Sequence, residues 1–235
     1  MNANPPSDDG PESGRWKFDM HIHSRYSGDC LTGPETIVRL FRDRGILPLV
    51  CDHNSTAGSV EVYRGIRSRD PDIPEIVAEE VMTSAGEIIG LFLNGEVPAY
   101  RSPDETLDII RGQGGLALVP HPFCTYRSSA LRSEALKAVA GRVDIIEGYN
   151  ARNVNDDENR LAREFAGRHR IPVSVGSDAH TPVELGRCWM ELDPFDSPAA
   201  LVKSLKGGRV HFRPMHPAIH GVTKVIRVVK KTGLL

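Results

Sequence analysis

The stretch WKFDMHIH, residues 16–23, joins a short apolar run to two histidines that are two positions apart. Residues i and i+2 of a strand point to the same side, so His21 and His23 can face one interior while Ile22 packs outward. Asp178 and His180 repeat this spacing after the later apolar run IPVSVG. Because a single HxH pair is commonly structural, its meaning depends on the rest of the chain.

The rest of the chain repeats a rhythm of apolar run, turn signal and segment with helical spacing. The apolar runs are WKFDMHI, ILPLVC, EIVAEEV, EIIGLFL, LALVP, VDIIEGY, IPVSVG and CWMEL. The amphipathic segments lie near 34–44, 59–69, 103–112, 129–140, 155–169 and 197–206. Nearly all-apolar strands that alternate with helices predict an α/β fold whose parallel sheet is covered on its outside. Six or seven such units favour a barrel over an open sheet.

Composition is that of an ordinary globular chain of 235 residues, with a formal net charge of −2. This charge implies no general attraction to nucleic acid or membrane. Residues 1–14 are polar and rich in Pro and Gly, so they are predicted to be a disordered lead-in and no signal peptide. A single domain is predicted over 15–235, and cytoplasm is the default location. The cysteines form no CxxC pair and are predicted to be small buried residues.

Metal-ligand residue types recur at the carboxyl ends of at least five of the predicted strands. They are His21 and His23, Asp52 and His53, Glu79 and Glu80, His121, and Asp178 with His180. The carboxyl ends of the strands in a parallel α/β barrel converge on one face, where active sites are built. Independent structural uses do not explain why nearly every strand ends in such a residue. Imidazole with carboxylate suits zinc, manganese or iron, so the pattern predicts a site for one of these metals.

The ordered set of motifs resembles that of the polymerase-and-histidinol-phosphatase (PHP) family of metal-dependent phosphoesterases. The motifs are His21-x-His23, Asp52-His53-Asn54, Glu80, His121-Pro122 and Gly176-Ser177-Asp178-x-His180. They occur in the family's order and cover about residues 17–190. The resemblance implies a distorted (β/α)7 barrel with two or three divalent ions, of zinc, manganese or iron, in a cleft at the strand ends.

The resemblance also implies eight ligands for up to three ions. Those of the first ion are His21, His23, Glu80 and Asp178. Glu80 bridges to the second ion, which also binds His121. Those of the third ion are His53, His180 and Asp29, which stands where some family members have histidine.

The second site is where this chain departs from the resemblance. Some trinuclear members supply a further histidine from the segment after the bridging glutamate, and EIIGLFLNGEVP (87–98) contains none. This site is therefore expected to be under-ligated, or completed by water, phosphate or another residue. Glu147 and Asn150 are candidates for that residue. Glu80 is preferred to Glu79 because the family pattern places the ligand directly before a hydrophobic-Ser/Thr stretch.

The implied activity is hydrolysis of a phosphomonoester, or of a nucleotide or nucleic-acid phosphodiester, by a metal-activated hydroxide. Asp52 is predicted to orient a ligand rather than to bind metal. Because the fork of arginine suits phosphate oxygens, Arg25, Arg127 and Arg152 are candidates for substrate binding, with Arg152 preferred. His211 is a candidate for protonating the leaving group, although a structural role suits a lone histidine better.

Two alternatives remain beside this interpretation. One is a catalytically silent metal-binding regulatory module. The other is an amidohydrolase-type C–N hydrolase, which often uses a bridging strand-end lysine that the middle of this chain lacks. The basic stretch VTKVIRVVKK (222–231) could steer nucleic acid, but a solvated face over an apolar stripe is preferred. The expected partner is a small phosphorylated metabolite or nucleotide, with a nucleic-acid end possible and no membrane; the oligomeric state is left open.

Overall fold

The computed structural model describes residues 14–232, and this range forms nine β-strands and seven α-helices. The strands are β1 (Trp16–Ile22), β2 (Ile46–Val50), β3 (Ala78–Thr83), β4 (Gly86–Leu91), β5 (Leu116–Val119), β6 (Ile145–Asn150), β7 (Val173–Gly176), β8 (Trp189–Leu192) and β9 (Arg209–His211). The helices are α1 (Pro34–Arg44), α2 (Ala57–Arg67), α3 (Pro103–Gly112), α4 (Ser133–Val139), α5 (Asp156–His169), α6 (Pro198–Leu205) and α7 (Ile219–Lys231). Apart from Gly14, the predicted disordered lead-in lies outside the described residues.

Local sequence signals set the start of α3. The Ser102 hydroxyl accepts from the backbone N–H of Glu105 at 3.3 Å, while the Glu105 carboxylate accepts from the Ser102 N–H at 2.9 Å. This reciprocal capping satisfies two N–H groups that the first turn leaves unbonded, and Pro103 fits the first helical position. The predicted start of this helix is therefore confirmed.

The strands form two sheets that approach each other at the carboxyl ends of their strands. One has the order β2-β1-β8-β9, and the other runs β3-β4-β5-β6-β7. Isolated parallel bridges connect them at Ile22 with Ala179 and at His53 with Glu80. Both bridges involve or adjoin predicted metal ligands, so the contacts between the sheets are also where the site is assembled.

The prediction of a uniformly parallel sheet is wrong at β4 and β8. β1 is parallel to β2, and β5, β6 and β7 are parallel to one another. β4 is antiparallel to both β3 and β5, and β8 is antiparallel to β1. The β3–β4 connection contains only Ser84 and Ala85, whereas a parallel crossover requires a dozen or more residues.

The apolar interior consists of two clusters beside the sheets. The larger packs residues of β1, β2, α1, α2 and α6 together, including Phe18, Leu49 and Tyr63. The smaller joins β4 and β5 to α3, α4 and α5. Each fully buried Leu or Phe contributes about 1.5–3 kcal/mol relative to exposure. All four cysteines are free and buried, as predicted. None of the helices between residues 14 and 232 is long and apolar enough to cross a bilayer.

Candidate metal centre

The structure brings all eight predicted ligands into one cluster at the carboxyl ends of the strands. Seven of them are at most 3% exposed, and the His53 side chain is 28% exposed toward a cleft. The eight are His21, His23, Asp29, His53, Glu80, His121, Asp178 and His180. Ionisable side chains buried at this density require compensating charges.

The first group of ligand atoms converges on one point. The Nε2 atoms of His21 and His23 are 3.1 Å apart. Oε1 of Glu80 lies 3.6 Å from Nε2 of His21, and Oδ1 of Asp178 lies 3.5 Å from Nε2 of His23. Ligand nitrogens bonded to one tetrahedral ion at about 2.0–2.1 Å are about 3.3 Å apart. The spacing therefore suits four ligands around a single ion.

The hydrogen bonds of both histidines leave Nε2 free for an ion. Nδ1 of His21 donates to Oε1 of Glu147 at 3.0 Å. Nδ1 of His23 donates to the Ser27 hydroxyl at 3.0 Å, and that hydroxyl donates to Oδ1 of Asp52 at 2.6 Å. With a proton on each Nδ1, the Nε2 lone pairs point into the cluster. Asp52 thus has the geometry of the predicted orienting residue, and it acts through Ser27.

Glu147 binds other protein groups with both of its oxygens. Its Oε2 accepts from the backbone N–H of His121 at 2.7 Å and from Nδ2 of Asn150 at 2.9 Å. Nδ2 of Asn150 also donates to Asp178 at 3.0 Å. These contacts make Glu147 and Asn150 supports of the ligands, which contradicts their candidacy for the second site. A Cβ on Gly176 would lie 2.1 Å from Oε1 of Glu147, so only glycine leaves room for this carboxylate.

The second group contains a residue that the sequence did not single out. Nε2 of His121 lies 3.2 Å from Oε1 of Glu80 and 3.7 Å from Oε2 of Glu87. Glu87, on β4, begins the very segment in which a histidine is missing. Glu79 does not face the cluster, because its Oε1 accepts from the N–H of Val97 at 2.6 Å. This geometry agrees with the prediction that Glu80, and not Glu79, is the ligand.

The third group lies at the mouth of the cleft. Oδ1 of Asp29 is 3.6 Å from Nε2 of His53 and 3.5 Å from Nε2 of His180. The other oxygen of Asp29 pairs with the Arg227 guanidinium of α7. The last described helix therefore fixes the orientation of a predicted ligand.

Charges within the cluster keep its carboxylates ionised. Burial favours the neutral acid at Asp178, yet Arg127 and then His21 hold its pKa well below the ordinary value. Burial likewise disfavours the imidazolium of His21, but Asp178 and Glu147 raise its pKa to about 10. Burial lowers the pKa of His180 well below its ordinary value, which leaves a neutral ring. Ionised acids and neutral imidazoles are the forms that bind metals, so an ion at His21 must displace a proton.

Unpartnered oxygens test whether ions fit this cluster. Oδ1 of Asp29 and Oδ1 of Asp178 are buried without a hydrogen bond of normal geometry to any residue in the range 14–232. Leaving an ionised oxygen in this state is costly, and a bound cation removes the cost. The mixed nitrogen and oxygen donors fit zinc, manganese or iron.

The predicted arginines have different environments. Arg127, on the loop after β5, pairs with Asp178 and lines the cleft. Arg152 is buried, and its guanidinium contacts Glu184 at 3.1 Å, Nδ1 of His180 at 2.7 Å and the Thr223 hydroxyl. The structure therefore places Arg152 as a support for His180, with its guanidinium engaged by protein groups.

Arg25 and His211 are not brought to the cleft. Arg25 is half-exposed and pairs with Glu61 at 3.3 Å, and the residues that line the cleft do not include it. His211 lies on β9, where its Nε2 is 3.1 Å from Glu191 and its ring stacks on Trp189. Neither contact offers a group to a substrate at the predicted ligands.

The cleft above the cluster has a volume of about 920 Å³, and α7 forms one of its walls. Lys224, Arg227, Lys230 and Lys231 line this wall. The ammonium of Lys230 donates to three loop carbonyls, those of Arg25, Ser27 and Cys30, at 2.6, 2.7 and 3.1 Å. The basic face of the stretch 222–231 thus borders the candidate site, whereas the sequence favoured a merely solvated face.

The chain is similar in sequence to one family profile and to two proteins of an archaeon. A family profile described as PHP-associated matches residues 156–210. An uncharacterized protein of Methanocaldococcus jannaschii is 34% identical over 162 residues, which cover 62% of this chain and 88% of that protein. A second uncharacterized protein of the same organism is 33% identical over 183 residues, which cover 74% of this chain and 70% of that protein.

Solved structures share the fold at low identity. A two-domain protein of Bacteroides vulgatus, containing a predicted PHP-like metal-dependent phosphoesterase, matches 85% of this chain with a TM-score of 0.67 and 17% identity. An amidohydrolase from Chromobacterium violaceum has a TM-score of 0.60 over 86% of this chain and 98% of its own, at 19% identity. The lesion-specific endonuclease EndoQ from Pyrococcus furiosus has a TM-score of 0.59 over 86% of this chain, also at 19% identity. The chain spans 65% of the two-domain protein and 60% of the endonuclease. With its ordered motifs, their convergence in one cluster and these relatives, the chain belongs to the PHP family.

Proposed function

We propose that this protein is a metal-dependent phosphoesterase that hydrolyses a phosphomonoester or a nucleotide or nucleic-acid phosphodiester. The observation that carries the proposal is the convergence of imidazole nitrogens and carboxylate oxygens at the floor of a basic cleft. Three carboxylate oxygens there, one each of Asp29, Glu80 and Asp178, have no hydrogen bond of normal geometry to the residues from 14 to 232. Lysine and arginine side chains line the rim, so the floor suits metal ions and the rim suits an anion.

The fold forms part of the proposal. The bridges of Ile22 with Ala179 and of His53 with Glu80 connect the two sheets. We take β1 to β7 as a distorted seven-stranded barrel whose strand ends hold the site, and residues 15–235 as one domain. β8 and β9 then extend the first sheet beside the barrel.

Two or three divalent ions of zinc, manganese or iron fit the three groups of ligand atoms. The first ion would lie among His21, His23, Glu80 and Asp178, and the third among Asp29, His53 and His180. The second would lie between Glu80 and His121. Bound there, such ions would acidify a water and neutralise phosphoryl oxygens.

The chain's own side chains would orient the ligands and the substrate. Glu147 and Ser27 hold the rings of His21 and His23 with Nε2 turned inward. Arg127 lines the cleft, and one of its guanidinium nitrogens lacks a hydrogen bond to the residues from 14 to 232. Because guanidinium N–H groups match phosphate oxygens, Arg127 is our first candidate to hold the phosphate. Arg152 also lines the cleft and remains the second candidate, with its guanidinium held by Glu184 and His180.

The basic wall formed by α7 suits a negatively charged substrate. Lys224 and Lys231 line the cleft within one helix, and Tyr126 lies beside Lys224 with its hydroxyl 2.8 Å from Nζ. A small phosphorylated metabolite or a nucleotide fits 920 Å³, and a nucleic-acid end could reach the floor along the open side.

The test is Asp178→Asn, which keeps the side-chain shape and removes the charge of a ligand. We expect folded protein by circular dichroism, lower metal content by elemental analysis, and loss of Mn²⁺-dependent hydrolysis of phosphomonoesters and phosphodiesters. Glu191→Gln, at a buried glutamate beside His211 and outside the cleft, is the control. Retained hydrolysis in Asp178→Asn would refute the ligand assignment. Bound metal with no turnover in the wild type would favour the silent regulatory module.

A further inference from the structure

Glu87 reaches the metal cluster through the register of the β3–β4 hairpin. Met82 is paired with Glu87, and Glu80 is paired with Ile89. Paired residues on antiparallel strands point to the same face, as do Glu80 and Met82, which are two positions apart. Glu87 is therefore a diagonal neighbour of Glu80 on the face that carries the site.

The Glu87 carboxylate lies between two predicted ligands of different ions. Its Oε2 is 3.7 Å from Nε2 of His121, and its Oε1 is 3.6 Å from Nδ1 of His53. The side chain is only 4% exposed. Ligand atoms of His53, Glu80 and Glu87 all lie within 4.8 Å of one another. These contacts place a carboxylate where the second ion lacks a ligand.

Glu80 and Glu87 are two buried carboxylates whose oxygens lie close together, and a cation between them would offset their repulsion. The backbone of Glu87 is bound independently, because its N–H donates to the carbonyl of Ser129 at 2.8 Å. This backbone bond is open to any residue except proline, whereas two buried carboxylates side by side are stabilised by a cation between them.

We propose, on the basis of the phosphoesterase proposal above, that Glu87 is a ligand of the second ion together with Glu80 and His121. This ligand set has two carboxylates and one imidazole. Carboxylate-rich sites suit Mn²⁺, whereas added imidazole suits Zn²⁺. Glu87 therefore shifts the preference of the second site toward Mn²⁺, relative to the same site with a histidine.

The experiment compares Glu87→Gln and Glu87→His with the wild type and with Glu79→Gln. Glu79 is the matched control, because it is a buried glutamate on β3 bound to the N–H of Val97. Each protein is stripped of metal, loaded with Mn²⁺ or Zn²⁺, dialysed and analysed for bound ions. Electron paramagnetic resonance of the Mn²⁺-loaded proteins reports whether two ions are spin-coupled, which requires no catalysis.

Glu87→Gln should lose one Mn²⁺ per chain and the spin-coupled resonance signal. Glu79→Gln should keep the wild-type number of ions and the signal. Glu87→His should keep the ion count with Zn²⁺ and lower the ratio of Mn²⁺ to Zn²⁺ retained after dialysis. An unchanged ion count in Glu87→Gln, or an unchanged ratio in Glu87→His, would overturn the inference. Because each variant is decisive alone, misfolding of one leaves the test intact. If Glu87→Gln loses an ion and the wild type shows no phosphoesterase activity, Glu87 is upheld as a ligand and only the proposed function is refuted.

Discussion

Replacing Glu147 by glutamine gives a sharp test of how the first ion's ligands are oriented. Three donors surround this carboxylate: Nδ1 of His21 on one oxygen, and the His121 N–H and Asn150 Nδ2 on the other. Glutamine has only one acceptor oxygen, so its NH₂ group must face a donor in either orientation. An NH₂ group that faces His21 opposes one donor, whereas one that faces His121 and Asn150 opposes two. The orientation toward His21 therefore costs less free energy.

In that orientation the amide forces His21 into the wrong tautomer. Its Nδ1 must become an acceptor, so the proton moves to Nε2, the nitrogen that faces His23 at 3.1 Å. For an ion to bind Nε2, the remaining ring proton would have to return to Nδ1, where it would face the amide NH₂ group. Loss of such an orienting partner typically weakens metal binding or activity 10–100-fold, or about 1.4–2.7 kcal/mol. We expect a loss of that size at the first site.

The assay is competition for Mn²⁺ or Zn²⁺ between metal-free protein and a fluorescent chelator at constant pH. Glu191→Gln serves as the control, because its buried carboxylate contacts His211 away from the cleft. Circular dichroism confirms that both variants are folded. Wild-type affinity in folded Glu147→Gln would show that the carboxylate does not set the tautomer of His21, and the orientation argument would fail.

Three further predictions concern pH, charge and backbone geometry. Burial raises the pKa of Asp19 from 3.8 to about 7. Its proton-linked stabilisation, on the order of 4 kcal/mol, is fully present below pH 3.8 and is lost as pH rises through 7. Asp19→Asn should therefore flatten the pH dependence of the unfolding free energy of the metal-free protein between about pH 4 and 7. An unchanged slope of unfolding free energy against pH, measured by urea titration, would contradict this. Lys224→Glu with Lys231→Glu should lower kcat/KM for a phosphoester about tenfold at low salt and less at 0.5 M NaCl; a salt-independent loss would argue against steering. Gly86 has φ of 127°, and a Cβ there would lie 2.4 Å from Cα of Leu131, so Gly86→Ala should lower the unfolding free energy by about 1–3 kcal/mol or more. Gly141→Ala, with open space around its Cβ, is the control, and equal stabilities would refute the steric argument.

The sequence predicted most of the ligand cluster because each motif follows an apolar run. A strand fixes the direction of alternate side chains, so His21-x-His23 was sufficient to place two imidazoles together. The choice of Glu80 over Glu79 agrees with the geometry, because adjacent strand residues point to opposite faces and Glu79 binds Val97.

The sequence did not predict Glu87 as a ligand, because the family resemblance implies a histidine in this segment. The short hairpin connection contains the information that places Glu87. A two-residue connection between β3 and β4 fixes their register, which pairs Met82 with Glu87. Because alternate residues of a strand point to the same face, Glu80 and Glu87 lie on one face. The same short connection makes β4 antiparallel, which the expectation of repeated strand–helix units overlooked. The tertiary contacts of Arg152 and His211 had no comparable local signal, since their partners are distant in sequence.

The contacts of α7 have a practical consequence for anyone who produces this protein. Lys230 is anchored to the loop that carries Asp29, so the helix ends beside the cleft. A polyhistidine tag fused after this helix would therefore lie beside the cleft, where its imidazoles would compete with the candidate ligands for added metal ions. β1 spans seven residues, and at about 3.3 Å per residue its start lies roughly 20 Å from the strand ends that hold the site. Measurements of metal content are best made with a removable tag placed before Trp16.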